Sequence, residues 1–137
     1  MRRVGSALVF SLVLAACTGP KMAPYSPTDR STELSSEKLL PAAEGTLLDR
    51  GYLIDEKDEA SGKIVTKERT LLGSQIAQEK FKYLWTVETS GGHLKIQIGC
   101  RKSNADEIVS CGDEVPEKLV KEQKEIVEQI LTEAGGQ

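Results

Sequence analysis

Two alternating runs of side chains decide most of what this chain can become. In the first, Phe81, Tyr83, Trp85 and Val87 alternate with Lys82, Leu84, Thr86 and Glu88; in the second, Leu94, Ile96, Ile98 and Cys100 alternate with Lys95, Gln97 and Gly99. A period of two sends successive side chains to opposite faces of a strand, so each run has one apolar face and one largely polar face. Ser90-Gly91-Gly92 between them is turn chemistry. The pair therefore reads as a β-hairpin in a sheet covered on one side only. Trp85 falls in the apolar phase and is expected in the core. A shorter hairpin is expected upstream, from Tyr52-Leu53-Ile54 through a charged turn at Asp55 to Gly62 and back along Lys63-Ile64-Val65-Thr66.

Helical periodicity brackets these strands. Leu39, Ala43 and Leu47 share one face of a helix over Glu37 to Arg50, with Ser36 as N-cap and Gly51 at the left-handed C′ position. Pro41 removes a hydrogen bond inside such a helix, so a start nearer Leu40 is the alternative. From Pro116 to Ala134, Leu119, Val120, Ile126, Val127, Ile130 and Leu131 form one stripe, and Glu117–Lys121, Lys121–Glu125 and Lys124–Glu128 form i,i+4 pairs outside it. The stripe is short and Lys124 interrupts one seam, so it suits a core-covering helix better than a coiled coil. Two such helices must bury their stripes, and the sheet offers one apolar face. The expected fold is α+β: a two-layer sandwich of four or five antiparallel strands with both helices side by side on one face.

The first residues carry different information. Arg2 and Arg3 precede a thirteen-residue, mostly apolar stretch from Val4 to Ala16, too short for the roughly 20 residues that span a bilayer core. It ends in Leu14-Ala15-Ala16-Cys17, where a plain secretory cleavage site would want a small residue at Leu14. These four residues closely resemble the lipobox of bacterial lipoproteins. The resemblance implies a signal peptide over residues 1–16, a diacylglyceryl thioether on Cys17, cleavage before it and further acylation, palmitate included, of the new amine. Two or more acyl chains hold a protein stably on a membrane. Thr18 follows, not the aspartate that resembles an inner-membrane retention signal, so the expected address is the outer membrane with the domain facing the periplasm. Residues 17–36 are polar and hold Pro20, Pro24 and Pro27 without an apolar period. They read as a lipidated cysteine and a flexible tether, with the globular domain over 37–137. As a coil the tether would span roughly 25 Å, and extended no more than roughly 60 Å.

With Cys17 acylated, Cys100 and Cys111 remain, and in an oxidising periplasm they make one disulfide. If they sit directly opposite, Lys102 faces Val109, Ser103 faces Ile108, and Asn104 to Glu107 form a four-residue hairpin loop. That rung puts the two Cα atoms within disulfide range, and closing so short a loop stabilises by roughly 3 kcal/mol.

Chemistry-bearing constellations are sparse. Mature charge, with Arg2 and Arg3 removed, is 16 Lys and Arg against 21 Asp and Glu, or −5; this mixed pattern lacks the basic face that nucleic acid requires. His93 is the only histidine, so zinc ligation and a serine-histidine-acid triad both lack partners. Asp55, Glu56, Asp58 and Glu59 do not follow calcium-loop spacing. No glycine-rich phosphate loop is present. No metal and no cofactor are expected, and no catalytic residue is nominated. Leu71-Leu72-Gly73-Ser74-Gln75-Ile76-Ala77 fits neither period. Leu71, Leu72 and Ile76 either extend the core over a sheet edge or form a docking patch for another envelope protein.

Leu47 to Thr66, with Leu-Leu-Asp-Arg-Gly-Tyr-Leu-Ile, acidic residues and Gly-Lys-Ile-Val-Thr, looks like the helix-grip modules of the lipoprotein C component of the outer-membrane β-barrel assembly machinery. About twenty residues carry the likeness, and the Cys100–Cys111 pair is not part of that pattern. It implies a non-enzymatic interaction module. A small-ligand or cell-wall-glycan binder is the next expectation, and a cryptic hydrolase the last. For the anchor, Cys17→Ser is expected to abolish labelling by radioactive palmitate and to leave unprocessed or soluble protein. Labelling that persists in this variant would overturn the lipobox reading.

Overall fold

A computed structural model describes residues 21–72, 80–101 and 107–136. The hairpin that dominates the sequence is its centre. Strands β6 (Lys80–Glu88) and β7 (His93–Arg101) pair antiparallel from Leu84 opposite Gly99 to Glu88 opposite Lys95. Gly91 and Gly92 turn the chain at φ 70° and 76°, backbone angles that glycine adopts without steric cost. As the alternation requires, Tyr83, Trp85, Val87, Leu94, Ile96 and Ile98 are all buried.

Each outer edge of this hairpin is served by two short strands laid end to end. Along β6 run β4 (Lys63–Thr66) and β5 (Arg69–Leu72); along β7 run β2 (Thr28–Ser31) and β8 (Ile108–Ser110). Strand β3 (Ile54–Asp58) lies outside β4, with a register shift between Ile54 and Glu56. The result is a twisted antiparallel sheet with five strand positions. At both joints one buried backbone N–H loses its partner, and a hydroxyl replaces it. The Trp85 N–H donates to Thr66 Oγ1 at 2.9 Å, and the Ile98 N–H donates to the Tyr25 hydroxyl at 2.6 Å. Trp85 and Ile98 face each other across the hairpin. Both joints therefore fall on one rung, whose N–H groups point outward and need acceptors beyond the pair.

Helix α1 (Ser36–Asp49) and helix α2 (Glu117–Gly135) lie antiparallel on the apolar face, with Thr46 reaching Glu133 and Arg50 reaching Glu125 and Gln129. Leu39, Ala43 and Leu47 meet Ile126, Val127 and Ile130 in the core, as their spacing implies. The α+β two-layer sandwich is thus the observed fold. Helix α1 starts earlier than Pro41 suggested. Ser35 stands at the N-cap, and Pro41 sits exposed in the second turn, where solvent meets the carbonyl it cannot bond. Its far end is a Schellman motif: Tyr52 N–H donates to Leu47 O, Gly51 N–H donates to Leu48 O, and Gly51 has φ 88°.

Four expectations need correction. The tether is not flexible over its described part. Residues 22–24 form β1 (Met22–Pro24), paired with β9 (Glu114–Pro116), and Thr28–Ser31 form β2. Edge strands need backbone donors and acceptors more than an apolar pattern, so hydropathy missed them. The charged turn is shorter than expected for the same reason: β3 continues to Asp58, whose Oδ1 accepts the N–H groups of Ala60 and Ser61. The Ser61 hydroxyl first, then the Ser61 and Ala60 N–H groups, hold the Asp58 carboxyl below its ordinary value.

The cysteine register is displaced by two residues. Val109 faces Cys100 and not Lys102, and Ile108 faces Arg101 and not Ser103. A two-residue shift preserves the face, and the chain leaves the ladder after Ser110, so Cys111 still closes the disulfide to Cys100 at a Cα separation of 5.1 Å. The sheet's second face is also not simply polar. Leu84 and Val65 are 0% and 1% exposed there. Gly99 supplies room: a Cβ at that position would lie 2.6 Å from Ile108 Cγ2 and 3.2 Å from Leu84 Cδ1. Arg101 reaches Asp55 at 2.9 Å, joining β7 to β3 across this face.

Thr66 is fully buried, so Thr66→Val is expected to orphan the Trp85 N–H and cost roughly 1–3 kcal/mol in urea unfolding. Thr66→Ser, which keeps the hydroxyl, should retain most of that stability; equal losses in both variants would show that the hydroxyl is not the cause.

Candidate functional site

The residues singled out by sequence fall differently in the structure. Leu71 is half-buried against the core, which sides with core extension. Leu72 continues β5 in register with Lys80. Ile76 and Cys17 lie outside the described residues. His93 is exposed at the β7 end, with Nδ1 2.9 Å from Asp29 Oδ1 on β2. The acidic residues near the β3 turn are separately engaged: Asp55 with Arg101, Asp58 with turn amides, Glu59 with Lys57 at 3.5 Å. Among the described residues no three His, Cys, Asp or Glu groups converge on a metal position.

A cluster absent from the sequence reading forms where α1 ends. The Schellman turn swings Tyr52 inward, edge-on to Trp85 (centroids 6.2 Å, 88° between planes) and to Tyr83 (6.1 Å, 75°). Its hydroxyl lies 2.8 Å from both the Tyr83 hydroxyl and Glu122 Oε1 on α2. A carboxylate only accepts and one hydroxyl carries one hydrogen, so the chain runs Tyr83 O–H to Tyr52, then Tyr52 O–H to Glu122. Above it, the Arg69 guanidinium stacks on the Tyr52 ring at 4.4 Å and donates to the Arg50 carbonyl at 3.1 Å. Arg50 in turn bonds Gln129 and pairs with Glu125 and Glu122 at 3.3 and 3.7 Å.

Burial raises the Tyr52 pKa well above the ordinary 10.0, and the hydrogen bond to Glu122 and its negative charge add to this. The Trp85 indole N–H opposes the rise, although it reaches no hydrogen-bond geometry with a described acceptor. Burial likewise raises Tyr83. Both phenols therefore stay protonated at neutral pH and serve as donors, not bases. The cluster welds α1, α2 and the sheet together. Nothing in the sequence linked residues 52, 83 and 122, because the link is a tertiary one.

Around this weld the surface holds open recesses of about 310 Å³, lined by Arg50, Lys118, Lys121, Glu122 and Glu125, and about 150 Å³, lined by Gly51 to Leu53 and Lys67 to Arg69. Charges of both signs line them. Leu48 and Leu53 flank the helix end and stay 48% and 62% exposed. The sequence carried one hint: Leu48 lies outside the i, i+4 row of Leu39, Ala43 and Leu47. Among the described residues the remaining exposed large apolar group is Met22 on β1, while the helix–sheet interface is filled by Trp85, Leu39, Leu47, Ile126 and Ile130.

Tyr52→Phe is expected to cost roughly 1–2 kcal/mol at neutral pH by breaking the hydroxyl chain. Because the folded pKa of Tyr52 is raised, its stabilisation is complete below pH 10 and declines as pH rises further. The deficit of the Tyr52→Phe variant should therefore shrink above pH 10 in urea melts. A constant or widening deficit would contradict the assignment.

Set against known proteins, the chain matches no family model and no curated protein.

Proposed function

We propose that this chain is a lipid-anchored envelope lipoprotein whose domain faces the periplasm, on the outer membrane, and acts as a non-enzymatic protein-interaction or assembly module. The observation that carries the anchor is Leu14-Ala15-Ala16-Cys17 behind a basic start and an apolar run. The Cys100–Cys111 bond supports the compartment, since disulfides persist where the surroundings oxidise thiols. For the module, the support is the placement of apolar and ionisable groups. Leu48 and Leu53 are exposed, and the Leu53 carbonyl accepts the Lys67 N–H just before β5. The tyrosines whose pKa burial raises, Tyr25, Tyr52 and Tyr83, are engaged in holding the helices to the sheet.

In this reading the exposed Leu53, and Leu72 and Ile76 as nominated by the sequence, are contacts for another envelope protein, and the acyl chains on Cys17 keep the module at the membrane where that partner is met. Burying such leucines centrally in an interface is worth roughly 2 kcal/mol each, about thirtyfold in affinity. Crosslinking pull-down from intact envelopes tests it. Leu53→Asp, Leu72→Asp and Ile76→Asp are each expected to lose the captured partner while thermal melts remain cooperative. An unaltered set of captured proteins in folded variants would sink the docking surface.

A further inference from the structure

We infer that the domain stands directly on the lipid surface, seated on the end of the sandwich formed by Lys21, Met22 and the first turn of α2. The inference rests on the lipoprotein reading of Cys17 and goes beyond it by fixing reach and orientation. Lys21 belongs to the rigid body. Its carbonyl accepts the Glu117 N–H at 2.7 Å, and its Nζ pairs with Glu117 at 3.4 Å. The next three residues zip onto Glu114–Pro116, and the Tyr25 N–H donates to Asp113 O at 2.9 Å.

Beyond this clasp the Tyr25 hydroxyl donates to Gln123 Oε1 at 2.9 Å, and Gln123 Nε2 donates to Ser26 O and Thr28 Oγ1. Gln123 is 3% exposed. The N-terminal segment is therefore locked to α2 at several points from Lys21 onward.

From Cys17 to Lys21 there are four residue steps, at most about 14 Å of fully extended chain. A strand the length of β7 spans about 30 Å, and a domain of this size has a radius of gyration near 13 Å. The leash is shorter than half the body it holds. The segment rises from Lys21 past Tyr25 to Thr32, whose N–H bonds Gly92 O at the opposite end. The Gly91–Gly92 turn is thus carried a strand length from the bilayer, and the Lys21 end is held against it. The Leu72–Lys80 rung lies at this same end, beside the last residues of β7, so an envelope partner docking there also lies at the bilayer surface.

The exposed groups at the leash are Lys21, Met22 (42% exposed), Lys118 and Lys121, with Asp113, Glu114 and Glu117 among them. The signs nearly balance, so the leash, not a basic patch, sets the seating. Salt should leave it unchanged, because screening acts on exposed charges and not on chain length.

The full lipidated protein, reconstituted in phosphatidylethanolamine–phosphatidylglycerol vesicles with nitroxide-bearing headgroups, tests this. A fluorophore at Lys118→Cys is expected to be quenched at low and high salt, and one at Ser90→Cys is not. Inserting a Gly-Ser spacer of about twelve residues after Thr18, which lets the anchor wander by roughly 20 Å more, should restore the fluorescence at position 118. Equal quenching at both positions, or quenching indifferent to the spacer, would overturn the seating. Mass spectrometry of the N-terminal peptide separates the two ideas: acylated protein with the wrong quenching defeats only the orientation, whereas an unmodified terminus defeats the lipoprotein reading and the leash with it.

Discussion

The rung Trp85–Ile98 is the point on which this fold depends. Its two N–H groups point away from each other, toward edges where the neighbouring strands are interrupted. An unpaired buried N–H costs about as much as several good apolar contacts contribute, so interruption is tolerable only if something else accepts. Thr66 and Tyr25 do so with side-chain hydroxyls. The sheet can then be assembled from short edge pieces, with the chain stepping sideways between β4 and β5 and leaving the edge altogether between β2 and β8.

Two polar nodes extend this logic to the helices. Tyr25 and Gln123 bind the N-terminal segment to α2 and the sheet; Tyr52, Tyr83 and Glu122 bind the end of α1 to the opposite side of the same pair of layers. In each, a tyrosine ring fills apolar space while its hydroxyl reaches a polar partner, the division of labour that suits tyrosine to partly buried sites. The apolar core supplies the bulk of the stabilisation. These nodes fix which way the helices lie, because hydrogen bonds are directional where apolar burial is not.

The proposed function follows from where these locks leave freedom. Everything from Lys21 onward in the N-terminal segment is held, so an acylated Cys17 would act through four residue steps instead of a long tether. A module held so closely would present a defined end to the membrane, and among the described residues the large apolar groups left exposed are Met22, Leu48 and Leu53. Under the proposed function, proximity to lipid and contact with an envelope partner would be two consequences of one geometry.

What the sequence determined by itself is what repeats locally. The period of two in residues 81–88 and 94–100, the stripe of α2, and Gly51 after Leu47-Leu48 each fix an element because the side chains concerned are neighbours on that element. The disulfide was legible because the lipobox reading of Cys17 leaves Cys100 and Cys111 as one pair, and the observed two-residue shift from the expected rung keeps them on one face. The tertiary structure decided what has no local period: the edge strands at Met22–Pro24 and Thr28–Ser31, the burial of Gln123 within a charged helix, the buried Leu84 on the face read as polar, and the meeting of Tyr52 with Glu122. Those outcomes depend on which backbone groups find a partner across long stretches of chain. Side-chain pattern records burial against the nearest face, and it does not record the address of a hydrogen-bond partner seventy or more residues away.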